Sequence, residues 1–238
     1  MMTKQGKLYL IPTTLGNNEP LEVLPISVKK VIEQIDYYIV ENEKSARKFI
    51  KKISPRKSQS SLHLYPLDKY TDVFETQYYL DVCVKGVNVG LLSEAGVPAV
   101  ADPGASIVQL AHQKGINVVP LVGPSSIIMA MMASGLNGQN FAFNGYLPIE
   151  KSERKKSVKQ LEKLSFDKNQ SQIFIETPYR NEKMMSDLLL TLSDETQLCV
   201  AADISLANEY IRTMTIAKWR RVKENLNKRP AIFIIHKM

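Results

Sequence analysis

"GLLSEAGVPAVADPGAS", residues 90–106, begins as a strand and ends as a helix. It closes the apolar, β-branched run "VNVGLL" (87–92) and leads through Pro103 and Gly104 into "ASIVQLAHQKG" (105–115). Between strand and helix lie Ser93, Glu94, Gly96, Pro98 and Asp102. A long turn with two carboxylates after a core strand is either a well-capped connection or a ligand loop. In open α/β sheets ligands bind outside the carboxyl ends of strands.

Outward from this stretch, apolar runs alternate with helical patterns. "KLYLIP" (7–12), "YYIV" (37–40), "SLHLYPL" (61–67) and "INVVPL" (116–121) read as strands. Residues 22–35, 43–53 and 72–86 read as helices. That rhythm predicts a parallel sheet with helices on its faces. After "LVGPSS" the pattern changes, which places a boundary between an N-terminal α/β domain (1–122) and a C-terminal α/β domain (123–238). "SIIMAMMASG" (126–135) is apolar nearly all round and is expected to be buried. Strands at 141–147, 171–176, 196–203, 209–214 and 230–237 and helices at 151–164, 180–192 and 216–226 follow. The two consecutive strands at 196–203 and 209–214 imply a hairpin, so the second sheet is mixed.

Composition bounds the function. The 238 residues carry 44% apolar and 23% charged side chains and a net charge of +7. No apolar run approaches the ~20 residues of a membrane span, and a cytoplasmic protein is expected. Cys83 and Cys199 form no disulfide framework, and the three histidines lack metal-ligand spacing, so no metal is expected. Positive charge gathers in 41–57, 151–159 and 218–229, which favours an anionic partner such as RNA, or else marks solvated helix faces. A G-x-G-x-x-G turn and a Walker sequence are both missing after the first strand.

Five strand-end loops stand in their place: "PTTLGN" (12–17), "SEAGVPAVADPG" (93–104), "GPSS" (123–126), "FNGYLP" (143–148) and "ETPYR" (176–180). Glycine allows close backbone approach, and helix starts offer free N–H groups to anions. These ordered motifs resemble those of the tetrapyrrole methylase superfamily, the class III S-adenosylmethionine-dependent methyltransferases. Within it they most resemble the ribosomal RNA small-subunit methyltransferase I branch, which methylates a cytidine ribose 2′-oxygen. The resemblance runs from about residue 6 to 237, with 90–104 its most specific part.

The resemblance implies two α/β domains with S-adenosylmethionine in a cleft between them, in a homodimer. Carried onto matching positions, it implies donor contacts at Thr13, at Ser93, Glu94, Ala95, Gly96 and Pro98, at Asp102, and at Ser125 and Ser126. A ribose hydroxyl would benefit from a base. Glu176 and Asp102 are the candidates, with Glu94 and Asp203 behind them. Lys151, Arg154 and Arg180 are candidate phosphate ligands. The pattern also departs from the family. A-T-P-I-G-N is "PTTLGN" (12–17), with Thr14 in place of the proline, S-D-A-G-T-P is "SEAGVP" (93–98), E-D-T-R is "ENEK" (41–44), and R-[DE]-L-T-K is "ADISL" (202–206). The small C-terminal domain of longer members is not expected. The acceptor therefore stays open between RNA and a tetrapyrrole or other metabolite, as does a non-catalytic relative that only binds donor or RNA.

Overall fold

The computed structural model describes residues 5–68 and 70–238. The chain divides into two compact units, Met1–Ser125 and Ser126–Met238.

The first unit is built on β1 (Lys7–Ile11), β2 (Tyr37–Val40), β3 (His63–Pro66), β4 (Val89–Leu92) and β5 (Asn117–Pro120). All pairings are parallel, in the order β3-β2-β4-β1-β5. β4 is buried throughout because it is central and covered on both faces, which is why "VGLL" carries no polar alternation. Helices α1 (Pro20–Val23), α2 (Ile26–Gln34) and α3 (Glu43–Ile53) follow β1 and β2. Pro25 splits the single helix expected at 22–35, since its ring cannot sit inside a helix. Helices α4 (Val73–Thr76) and α5 (Asp81–Val84) replace the one helix expected at 72–86. Between them the neighbours Tyr79 and Leu80 both turn inward, and the Tyr79 hydroxyl donates to the Pro66 carbonyl at 2.7 Å. Helix α6 (Ala105–Gln113) completes the unit. One core joins Ile11, Val28, Ile32, Tyr38 and Ile50, and a second joins Leu8, Ile39, Leu80, Leu91 and Ile107.

The second unit holds α7 (Ser126–Ser134), β6 (Phe141–Tyr146), α8 (Lys151–Lys168), β7 (Ser171–Ile175), α9 (Asn181–Thr191), β8 (Gln197–Ala202), β9 (Tyr210–Thr215), α10 (Ile216–Trp219) and β10 (Ala231–His236). Its sheet runs β6-β7-β10-β8-β9, with β6·β7 parallel and the remaining pairs antiparallel. The hairpin expected from consecutive strands is β8·β9. The core gathers Phe174, Leu188, Val200, Phe233 and Trp219, whose indole N–H donates to the Leu198 carbonyl at 2.8 Å. The helix expected over 216–226 stops at Trp219. Beyond it the chain continues in tight turns, the Arg221 N–H donating to the Lys218 carbonyl and the Val222 N–H to the Trp219 carbonyl, both at 3.0 Å. Helix α7 is not the buried helix its composition suggests. Ala130, Met131 and Ser134 are buried, but Ile128 and Met132 are 53% and 77% exposed. No helix among the described residues is long and apolar enough to cross a membrane.

Candidate active site

Parallel pairing brings the ends of β1, β2 and β4 to one edge of the first sheet, so the loops after them meet there. The Thr13 N–H donates to the Gly96 carbonyl at 2.9 Å, and the buried Ser93 hydroxyl donates to the same carbonyl at 2.5 Å. The Thr13 and Ser93 hydroxyl oxygens lie 3.4 Å apart. Gly96 sits at φ +73°, and a Cβ there would meet Leu15 Cδ2 and the Pro124 carbonyl oxygen, each at 3.0 Å. Gly123 has no room either: its Cβ would lie 2.3 Å from the Pro12 ring. These glycines let the segments after β1, β4 and β5 close on one another.

The rest of the 93–104 loop is held by Asp102. Its Oδ1 accepts from the Ala99 and Gly104 N–H groups, both at 2.8 Å. Ala99 and Ala101 occupy left-handed backbone, φ 65° and 61°. That conformation costs a residue with a Cβ roughly 1–2 kcal/mol, so the surrounding bonds must impose it.

Three carboxylates gather at this edge: Glu41 just past β2, Glu94 and Asp102. Glu94 Oε1 accepts from the Ser45 hydroxyl at 2.7 Å, in the first turn of α3, whose Asn42 side chain caps the Lys44 and Ser45 N–H groups. Burial pushes the Glu41 carboxyl above the ordinary glutamate range. The charges of Asp102 and Glu94 push it further, and the Glu94 backbone N–H offsets part of this. Burial likewise raises Asp102 against the pull of its two N–H donors. Among the described residues no lysine or arginine pairs with any of the three. Nor do they form a group able to hold a metal ion; none occurs among the described residues. A small cavity of about 80 Å³ opens between Thr13, Thr14, Ser45, Phe49, Ser93 and Glu94. The edge is thus negative, hydroxyl-lined and short of a cation.

Of the residues expected at a donor site, this edge unites Thr13, Ser93, Glu94, Gly96 and Asp102, with the exposed Ala95 and buried Pro98 in the same loop. Ser125 ends the segment after β5, and Ser126 opens α7 in the second unit. Glu41 and Ser45 were not among the expected residues. Glu41 is the first polar residue after "YYIV", and its place beside a strand end was the available signal.

The second sheet has its own loop edge, where β6, β7 and β8 end together. Glu176, a candidate base, is buried and committed to its own loop. Its Oε1 accepts from the Thr177 N–H at 2.7 Å and from Arg180 Nε and Nη2 at 3.0 and 2.6 Å. Arg180 is correspondingly tied to a carboxylate instead of standing free for phosphate. Asp203 accepts from Asn208 Nδ2 at 2.6 Å and Arg229 Nε at 2.5 Å. Arg154 corrects the sequence reading: it is 3% exposed and does not face solvent. Its Nε and Nη2 grip Asp187 on α9, and its Nη1 donates to the carbonyls of Pro148 and Ile149. It lies on the inner stripe of α8 with Val158, Leu161 and Ser165, and fastens that helix to α9. Lys151 is exposed at the start of α8.

The sequence pattern of the Tetrapyrrole (Corrin/Porphyrin) Methylases matches residues 7–219. The chain belongs to this family, and it is a methyltransferase. It is 29% identical over 232 residues to the ribosomal RNA small subunit methyltransferase I of Vibrio cholerae, covering 96% of this chain and 76% of that one. The protein of the same name from Escherichia coli O157:H7 is 26% identical over 234 residues, 97% of this chain and 78% of that one. Among solved structures, the uroporphyrin-III-C-methyltransferase of Thermus thermophilus shares the fold at a TM-score of 0.58 and 18% identity, covering 98% of this chain and 95% of that one.

Proposed function

We propose that this chain transfers the methyl group of S-adenosylmethionine to a ribose 2′-oxygen of small-subunit ribosomal RNA. The observation that carries the donor assignment is the trio Glu41, Glu94 and Asp102, half-buried or exposed at a strand-end edge with no cationic partner among the described residues. Glu41 and Asp102 are held above the ordinary carboxylate range, and such groups are relieved by a positive ligand. S-adenosylmethionine supplies a sulfonium-bound methyl group and an ammonium, so its charge suits this edge. Thr13, Ser93, Gly96, Asp102, Ser125 and Ser126, with Glu94, Ala95 and Pro98, are the residues proposed to hold it. The loop's own hydrogen bonds fix its hydroxyls and carbonyls before a ligand arrives, which lowers the ordering cost of binding.

Methyl transfer asks the protein chiefly for alignment and exclusion of water. In this reading Thr13 and Ser93 orient the donor, while Glu41, Glu94 and Asp102 balance its charge. Glu176 and Arg180 shape the 176–180 loop rather than moving a proton, because the carboxylate is already held by the guanidinium. The name carried by relatives that span almost the whole chain supports RNA as acceptor, and so does the +7 charge. Lys151, Lys156 and Lys159, exposed on the first half of α8, are proposed phosphate contacts. A homodimer, to which the exposed Ile128 and Met132 would contribute, and a cytoplasmic location belong to the same reading. The family's description favours a tetrapyrrole acceptor as the second reading.

The test is transfer of tritiated methyl from S-adenosylmethionine to assembled small subunits, to naked ribosomal RNA and to a tetrapyrrole pool. Label in either RNA sample is the expected result. Label in the tetrapyrrole alone would establish the second reading.

A further inference from the structure

We infer that the outer face of α3 is a track for single-stranded RNA that leads to the methyl-transfer edge of the first unit; the inference rests on the RNA reading above. Lys44, Lys48 and Lys51 stand at i, i+4 and i+7, which places them on one face of the helix. All three are exposed, while Ala46, Ile50 and Ile53 fill the opposite, buried face. Lys44 and Lys48 have no ion-pair partner among the described residues. The Lys51 Nζ donates to the Pro55 carbonyl at 2.7 Å, so its charge is not neutralised. The helix's one acid, Glu43, lies beside Arg47 at 4.0 Å and leaves the stripe alone. Arg56, also exposed, carries positive charge past the helix end.

Position makes the stripe more than a solvated face. Ser45, next to Lys44, is the residue whose hydroxyl holds Glu94. One end of the stripe therefore abuts the carboxylate edge, and the other points away along the helix. Acid gathers where a cationic donor would sit, and base gathers on the helix leading from it. From Lys44 to Lys51 the helix rises about 10 Å at 1.5 Å per residue. One strand of nucleic acid in duplex geometry carries about three phosphates over that length. Three flexible ammonium groups match that spacing and read no base.

The experiment measures binding of a mixed-sequence, single-stranded oligoribonucleotide across a salt series, alongside tritiated methyl transfer to ribosomal RNA. The variants are Lys44→Ala/Lys48→Ala/Lys51→Ala, the same three positions changed to Arg, and Lys151→Ala/Lys156→Ala/Lys159→Ala. Each lost contact removes about 0.7 from the slope of log affinity against log salt for a single strand. The triple alanine variant on α3 is expected to lose about 2 from that slope, so the affinity lost on raising salt fourfold shrinks about 20-fold. The arginine variant is expected to keep the slope, and donor affinity is expected to be unchanged in both. An unchanged slope in the α3 alanine variant, or a change confined to the α8 variant, overturns the track even if the wild type methylates RNA. A slope that depends on α3 in a protein that transfers no methyl to RNA upholds the track and overturns the acceptor. A wild type that binds no RNA overturns both.

Discussion

Thr13 and Gly96 are joined main chain to main chain, the N–H of one donating to the carbonyl of the other at 2.9 Å. The bond links the loop after β1 to the loop after β4, on which the donor assignment depends. Gly96 reaches it only at φ +73°. Gly96→Val adds a β-branched side chain to that backbone and drives it against Leu15 and the Pro124 carbonyl. The expected cost is about 1–3 kcal/mol of stability from backbone strain alone. Calorimetry with S-adenosylmethionine should show no binding by the folded variant, and native affinity would contradict the placement.

Ala99 and Ala101 test the strain in the same loop. Both hold left-handed backbone that glycine adopts freely. Ala99→Gly and Ala101→Gly should each raise stability by up to about 1 kcal/mol, read by urea unfolding. Donor affinity should fall, because a looser loop must be ordered on binding. A loss of stability would show that the loop is not strained.

Arg154 and Asp187 form an ion pair in which each side chain is 3% exposed. Arg154→Met strands a buried carboxylate and should cost about 3–5 kcal/mol in equilibrium unfolding. Arg154→Met with Asp187→Leu should recover most of that, since a packed apolar pair of similar volume is often neutral. If Arg154→Met were fully stable and lost RNA affinity instead, the side chain would be a surface ligand after all.

How much of this was legible in the sequence depends on the kind of signal. "VGLL" and "AIFII" are uninterrupted apolar runs, and they became the buried central strands β4 and β10. The 90–106 stretch announced its strand, loop and helix because glycine, proline and aspartate there have few other uses. Arg154 was hidden by its neighbours: with five lysines and arginines in 151–159, one inward arginine looks like the rest. Its period with Val158 and Leu161 carried the information, but a charged residue on an apolar stripe is discounted unless its partner is known, and Asp187 lies 33 residues away. Glu41 stood in the altered motif "ENEK" at a strand end, but that it meets Glu94 and Asp102 follows only from the order of the sheet. The exposed side of α7 could not be foreseen, since composition says a helix is apolar and not what covers it.

Glu41 and Asp102 predict a pH dependence. The folded-state values of Glu41 and Asp102 are raised. Between the ordinary carboxylate value and the raised one, the folded chain holds more protons than the unfolded chain. These two groups therefore make the ligand-free protein less stable as pH rises through that window. A bound cation favours the ionised forms, so donor affinity should rise over the same window and binding should release protons. Calorimetry across a pH series that starts at the ordinary carboxylate range, in buffers of different ionisation enthalpy, reads the proton release. Glu41→Gln should reduce it, and no release or net uptake would contradict the role given to the trio.

Glu176 separates loop closure from base catalysis. A positioned general base contributes about 10²- to 10⁴-fold to a rate. If the carboxylate serves Arg180 and the Thr177 N–H, as its hydrogen bonds indicate, Glu176→Gln should lower kcat less than tenfold and leave the pH profile of kcat in place. Loss of one limb of that profile would restore Glu176 as the base.

The most direct measurement is the position of the transferred methyl group. Alkali cleaves RNA through attack of each 2′-oxygen on its neighbouring phosphate, and a methyl on that oxygen blocks the cut. Small-subunit RNA labelled by this protein with tritiated S-adenosylmethionine should therefore release its label, after complete alkaline hydrolysis, in an alkali-stable dinucleotide. Label recovered in mononucleotides would place the methyl on a base, and an RNA left unlabelled while a tetrapyrrole is methylated would contradict the account.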